Sequence, residues 1–139
     1  MENPTSYGKV FPLEQYYDLI DLAKEKGVAV HVDGARIFNA AASLNVDPKA
    51  LTRNVDSLMF CLSKGLCAPF GAMVVGSKDF IKGYKENQAL LGAEMENLGR
   101  YAAMGLVALR KMRFELYKDH EIAWSLSTCM QNLGWINIV

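Results

Sequence analysis

Apolar residues run along this chain in two rhythms, one suited to helices and one to buried strands. Leu13, Tyr16, Tyr17, Ile20 and Ala23 recur at helical spacing behind Pro12, which a first helical turn tolerates, and Gly27 is placed to end that helix. Residues 28 to 32 then read VAVHV, an apolar run bounded by Gly27 and Gly34, which predicts a strand buried on both faces of a parallel sheet. An alanine-rich helix follows to about Asn45, and Pro48 opens a brief one towards Arg53. Residues 55 to 62 predict a second strand, and 71 to 76 a third. Ser77 is a good N-cap for a helix to about Leu91, with Asp79 in its first turn where a negative charge suits the helix dipole. Beyond Gly92 one long amphipathic stretch covers 96 to 120, and a further helix ends at Gly134.

Helices between the first two strands and after the third predict an α/β fold with a largely parallel or mixed sheet flanked by helices. There is no internal repeat or linker, so the expectation is one domain. Gly99, Ala102, Ala103 and Ala108 keep side-chain bulk low on the long amphipathic stretch. They suit close helix packing or a subunit interface.

In open α/β sheets, ligands bind at the carboxyl ends of strands. Asp33 and Arg36 follow the first strand, and Ser63, Lys64 and Gly65 follow the second. A lysine beside a buried strand and apolar neighbours can have its amine pKa lowered by desolvation, which suits Schiff-base chemistry; the alternative is a surface turn lysine. Asp33 is either a carboxylate for a ligand or an N-cap for the next helix. His31 shares a strand face with Asp33, as a structural or a catalytic group. Arg36 could grip a carboxylate with two parallel hydrogen bonds, which lysine cannot do.

Charge and cysteine narrow the classes. Fifteen basic residues balance fifteen acidic ones, with no basic face or tail, so nucleic acid is not an expected partner. The longest apolar runs fall well short of the roughly 20 residues a membrane helix needs, and the first residues carry no signal-segment pattern, so a cytoplasmic address and no membrane partner are expected. Cys61, Cys67 and Cys129 show no paired metal spacing, and no metal is expected. Cys61 reads as a small core residue, while Cys67 follows the lysine turn.

HVDGARIFNAA followed by DSLMFCLSKGLCAPFGAMVVGSKDFI resembles the threonine aldolase and β-eliminating lyase family, pyridoxal-phosphate enzymes with the aspartate aminotransferase superfamily fold. The similarity runs from about Glu2 to about Ala123. It implies part of a seven-stranded, fold-type I large domain over 1 to 134, with 135 to 139 beginning a small domain. By the same resemblance Lys64 is the catalytic residue and holds pyridoxal 5'-phosphate, with Asp33 on its ring nitrogen and Ser63 and His31 beside it. Arg36 would bind the substrate carboxylate, a second arginine coming from the small domain. The implied reaction cleaves β-hydroxy amino acids such as threonine to glycine and an aldehyde, in a homodimer or homotetramer. β-Elimination and transamination are the alternatives within the superfamily, and a catalytically incomplete piece is the alternative outside it. Three places depart from the family pattern. Thr5 and Ser6 stand where relatives often carry a histidine, Ala89 replaces a lysine, and Glu96 replaces an arginine whose place Arg100 could take.

Overall fold

The computed structural model describes residues 1, 3–5, 8–134 and 136–137. The small-domain expectation rests partly on Trp135, Ile138 and Val139, and one loop departure on Ser6; these four lie outside the described residues.

Helix α1 spans Leu13–Glu25, with Pro12 as its N-cap residue rather than inside its first turn. It closes at Gly27, whose φ of 65° is open to glycine without a Cβ penalty. The Gly27 N–H bonds the Lys24 carbonyl and the Val28 N–H bonds the Ala23 carbonyl, which together cover the last carbonyls of the helix.

Strand β1 is His31–Asp33, shorter than the apolar run suggested, and Val28 is 56% exposed. Helix α2 (Ile37–Leu44) and a 3-10 turn (Pro48–Thr52) then carry the chain over to β2 (Ser57–Cys61). β3 (Ala72–Gly76) returns directly. The order is β1-β2-β3, with β1 and β2 parallel and β2 and β3 antiparallel, so the sheet is mixed. A crossover of helical length is what a parallel pair requires, and the short return makes the last pair antiparallel. On the other edge of β1, the Met1 nitrogen bonds the His31 carbonyl and the Asn3 N–H bonds the Asp33 carbonyl.

The expectation of a strand buried on both faces is corrected. Val30, Val32, Leu58, Phe60 and Leu62 share one cluster with Tyr16, Ile20, Ile37, Ala40, Ala41 and Leu51, so α1, α2 and the 3-10 turn cover a single face. His31 and Asp33 point the other way and are exposed. At one end of that second face Ser57 is buried, and Phe80 lies against its partner Gly76.

α3 (Lys78–Leu90) starts where expected, with the Ser77 hydroxyl accepting from the Phe80 N–H. The long amphipathic stretch is not one helix. It divides into α4 (Leu98–Arg110), a 3-10 turn (Met112–Phe114) and α5 (Leu116–Asn132), breaking before His120 rather than after it. Of the four small residues singled out there, only Ala108 is buried. The close approach is made by Gly105, where an added Cβ would lie 2.9 Å from Leu62 Cδ1.

Two buried or tethered groups tie α1 to the rest. Tyr16 is fully buried and donates its hydroxyl to the Leu51 carbonyl at 2.8 Å; burial, with Tyr17 beside it, pushes its phenol up to about 12. The Asp56 carboxylate accepts from Lys24 Nζ and from the Val30 N–H, both at 2.7 Å, and these bonds, that from Lys24 first, hold its carboxyl below the usual value.

Replacing Tyr16 by Phe keeps the ring and strands the Leu51 carbonyl, so we expect a loss of about 1–2 kcal/mol in denaturant unfolding. Asp56 sets a pH dependence of known sign. A carboxyl with a depressed folded pKa contributes stability above its unfolded value, about 3.9, and loses it as pH falls through the lower folded value. The unfolding midpoint of Asp56→Asn should therefore fall less than that of the parent between about pH 6 and about pH 3.

Candidate active site

Parallel pairing brings the two chemistry-bearing loops to one end of the sheet. Asp33 is level with Met59 in the register, the Gly34 N–H bonds the Met59 carbonyl at 2.9 Å, and the Cys61 N–H bonds the Ala35 carbonyl at 3.3 Å. Asp33 therefore ends β1 where β2 is about to deliver Ser63 and Lys64. The acid and the amine leave the same edge of two adjacent strands.

Asp33 is not the N-cap of α2. Its Oδ1 accepts from the Ala35 N–H at 3.1 Å, a turn local to the strand end, and the N-cap residue of α2 is Arg36, without a side-chain cap. Three residues, Gly34, Ala35 and Arg36, separate Asp33 from the first residue of the helix. Among the described residues nothing donates to Asp33 Oδ2. His31 stands on the same face, and its Nδ1 lies 2.8 Å from the Ser57 hydroxyl on the neighbouring strand. Asn3 adjoins Asp33 through its backbone bond and is fully buried. Its Oδ1 accepts from the Phe11 N–H at 3.3 Å, while its Nδ2 has no partner among the described residues.

Lys64 and Ser63 are exposed, so the apolar surroundings expected of the lysine are not there. Its main chain is nonetheless well held. The Lys64 carbonyl accepts from the Cys67 N–H at 2.9 Å, the Ala68 N–H bonds the Leu62 carbonyl at 2.9 Å, and Leu66 and Ala68 belong to the core. Cys67 is exposed and left-handed, with φ of 59°, while Cys61 is half-buried on the open sheet face.

Arg36 opens into a cavity of about 560 Å³ between α2 and α5, shared with Asn39, His120 and Trp124. No carboxylate among the described residues pairs with its guanidinium. Ala89 and Glu96 are exposed, on α3 and in the loop after it, and Arg100 is exposed in the first turn of α4. Among the described residues no three of His, Cys, Asp and Glu are grouped to hold a metal, and no helix is long and apolar enough to cross a membrane.

Three polar residues escaped the sequence reading: Asn39, His120 and the spare donor of Asn3. His120 carried a faint signal, being one of two histidines and one turn after the apolar Leu116. Asn39 sits in an alanine-rich helix where nothing in the spacing marks it.

The loops after two parallel strands leave one end of an open α/β sheet, the place where ligands bind in folds of this class. Comparison with known proteins makes the class specific. The β-eliminating lyase family model matches residues 1–138, and the chain belongs to that family. It is 42% identical over 134 residues to the low specificity L-threonine aldolase of Escherichia coli O157:H7, covering 96% of this chain and 40% of that protein. It is 35% identical over 135 residues to the corresponding aldolase of Saccharomyces cerevisiae, again over 96% of this chain and over 35% of that one. A crystal structure from Listeria monocytogenes EGD-E, assigned as an L-allo-threonine aldolase, superposes with a TM-score of 0.83 at 22% identity, covering 90% of this chain and 35% of its own; it shows the fold. The chain thus spans about two fifths or less of the length of these relatives.

Cys67 supplies a test of the lysine turn. A non-glycine residue pays a steric cost in the left-handed region, partly offset by the unfolded-state entropy that glycine adds. We expect Cys67→Gly to raise stability by about 0.5–1 kcal/mol, read as a higher denaturant midpoint with an unchanged slope.

Proposed function

We propose that these residues are part of a pyridoxal-phosphate-dependent lyase that cleaves β-hydroxy amino acids, threonine and allo-threonine among them, to glycine and an aldehyde. The observation that carries this reading is the placement of Asp33 and Lys64 on loops that leave one end of one parallel strand pair. The similarity to low specificity L-threonine aldolases supports the substrate class.

The donor set fits the cofactor. Asp33 Oδ2 is open to accept from a ring N–H, having no donor among the described residues. Pyridoxal phosphate, when bound, supplies an electron sink for the negative charge left on glycine. Lys64 would provide the amine that attaches it, and the Asp33 carboxylate would accept from the ring N–H. On this reading Ser63 would take the phosphate and His31 the ring face. The guanidinium of Arg36, without a carboxylate partner among the described residues, would hold the carboxylate end of the amino acid and so orient the bond to be broken.

Homo-oligomer formation and a cytoplasmic site of action belong to the same reading. Trp124, Ile122 and Leu126 on α5 are 71%, 67% and 59% exposed, apolar area that further protein would cover.

The exposure of Lys64 and Asp33 favours a second reading for the 139 residues alone, namely that they bind the cofactor incompletely. Treatment with pyridoxal phosphate and then borohydride, followed by peptide mass spectrometry, addresses both. We expect a partial label centred on Lys64, lost in Lys64→Ala, and no glycine from threonine. A label spread evenly over surface lysines would overturn the first reading. A stoichiometric label with glycine and aldehyde released would overturn the second, and pyruvate with ammonia would point to β-elimination instead.

A further inference from the structure

The lysine turn has a polar neighbour that the chemistry above does not use. Asn39 Nδ2 lies 3.1 Å from His120 Nε2, a half-buried contact that joins α2 to α5. The other end of the same amide faces Gly65. A Cβ on Gly65 would come within 2.7 Å of Asn39 Oδ1 and 2.9 Å of Leu116 Cδ2. Gly65 therefore sits in a notch whose walls are one side chain of α2 and one of α5, which any larger residue would have to push aside.

We infer that the Asn39–His120 pair is a positioning device that sets the lysine turn at a fixed place relative to Asp33. The inference rests on Lys64 being the cofactor lysine. Asn39 belongs to the helix that opens just after Asp33, so the segment carrying the acid also touches the residue next to the amine. The limbs of the turn are already tied by the Cys67 N–H to Lys64 carbonyl bond and the Ala68 N–H to Leu62 carbonyl bond. What those bonds do not set is the approach of the turn to α2 and α5. Leu116 is fully buried, while an asparagine amide can rotate about its last bond. The bond to His120 removes that freedom. With Asn39 Nδ2 donating, His120 Nε2 accepts and the imidazole proton resides on Nδ1, and Asn39 Oδ1 is held against Gly65. Catalytic groups need placement to within about 0.5 Å, and this is the kind of supporting contact that provides it. Asn39 and His120 are positioning residues; neither is assigned contact with substrate or cofactor.

The test uses the chain without cofactor. Amide hydrogen exchange is followed by NMR at Cys67 and Ala68, which report on the turn, and at Tyr16, Lys26 and Val28, which report on α1. In Asn39→Ala and in His120→Ala we expect exchange at Cys67 and Ala68 to rise about tenfold, the scale of one net hydrogen bond, with α1 unchanged. His120→Gln, which keeps an acceptor and a donor, restores slow exchange at both amides. Unchanged exchange at the turn in the two alanine variants overturns the inference. So does an equal rise at α1, which is loss of global stability, or failure of glutamine to restore protection, which assigns the effect to volume. Borohydride labelling of the parent chain is run in parallel. Loss of the Lys64 label there speaks against the cofactor reading alone and leaves the exchange result standing.

Discussion

The register between β1 and β2 is the constraint on which the rest of this structure depends. A parallel pair sends both of its carboxyl ends the same way, so the loops after Asp33 and after Cys61 must emerge side by side. Had β2 paired antiparallel to β1, the lysine turn would lie at the opposite end of the sheet from the acid. The crossover through α2 and the 3-10 turn is what allows the parallel pairing, and its buried residues, Ile37, Ala40, Ala41 and Leu51, hold it to the sheet. Tyr16 then fastens α1 to the same 3-10 turn through the Leu51 carbonyl.

That arrangement leaves the sheet with two unlike faces. In β1 and β2 the even-numbered residues meet the helices and form the core. On the other face, which carries the candidate chemistry, His31 and Asp33 are exposed, Met59 and Cys61 are half-buried and Ser57 is buried. An ionisable group on an open face keeps its hydration and makes no strong demand on its neighbours. A cofactor lysine in working form needs the opposite. The lengths of the relatives give the comparison its scale, since this chain corresponds to 40% of the E. coli protein. The sheet face and the apolar flank of α5 are where further protein would have most to bury.

Membership of the β-eliminating lyase family and the geometry of the strand ends bear on different questions. The family relation accounts for the motif residues Asp33, Arg36 and Lys64 occurring together. The geometry explains how a turn containing an exposed lysine is held still. Leu66 and Ala68 anchor its far limb in the core, and Asn39 and Leu116 shape the notch for Gly65. Glu96 and Ala89, which depart from the family pattern, are exposed and remote in the chain from both loops. Their neighbours among the described residues give them no compensating partner.

Much of the fold was legible in the chain because its signals are local. Gly27 marks the end of α1, Ser77 the start of α3, and the apolar run before Lys64 marks β2, since each depends on a backbone preference or a capping bond within a few residues. The positions of Asp33, Arg36 and Lys64 after strand ends were legible too, since they follow from the same pattern. What tertiary structure alone decided are the matters that need two distant segments at once. One strand face is open although its residues read as buried, because periodicity records how apolar a strand is and not how many layers cover it. The amphipathic stretch breaks at residues 111 to 115, a turn that lets α5 fold back so that Leu116 and His120 meet Gly65 and Asn39. Asn39 and Asn3 gained their roles only from neighbours far along the chain, and a polar side chain carries no periodic signal of the partner it will find.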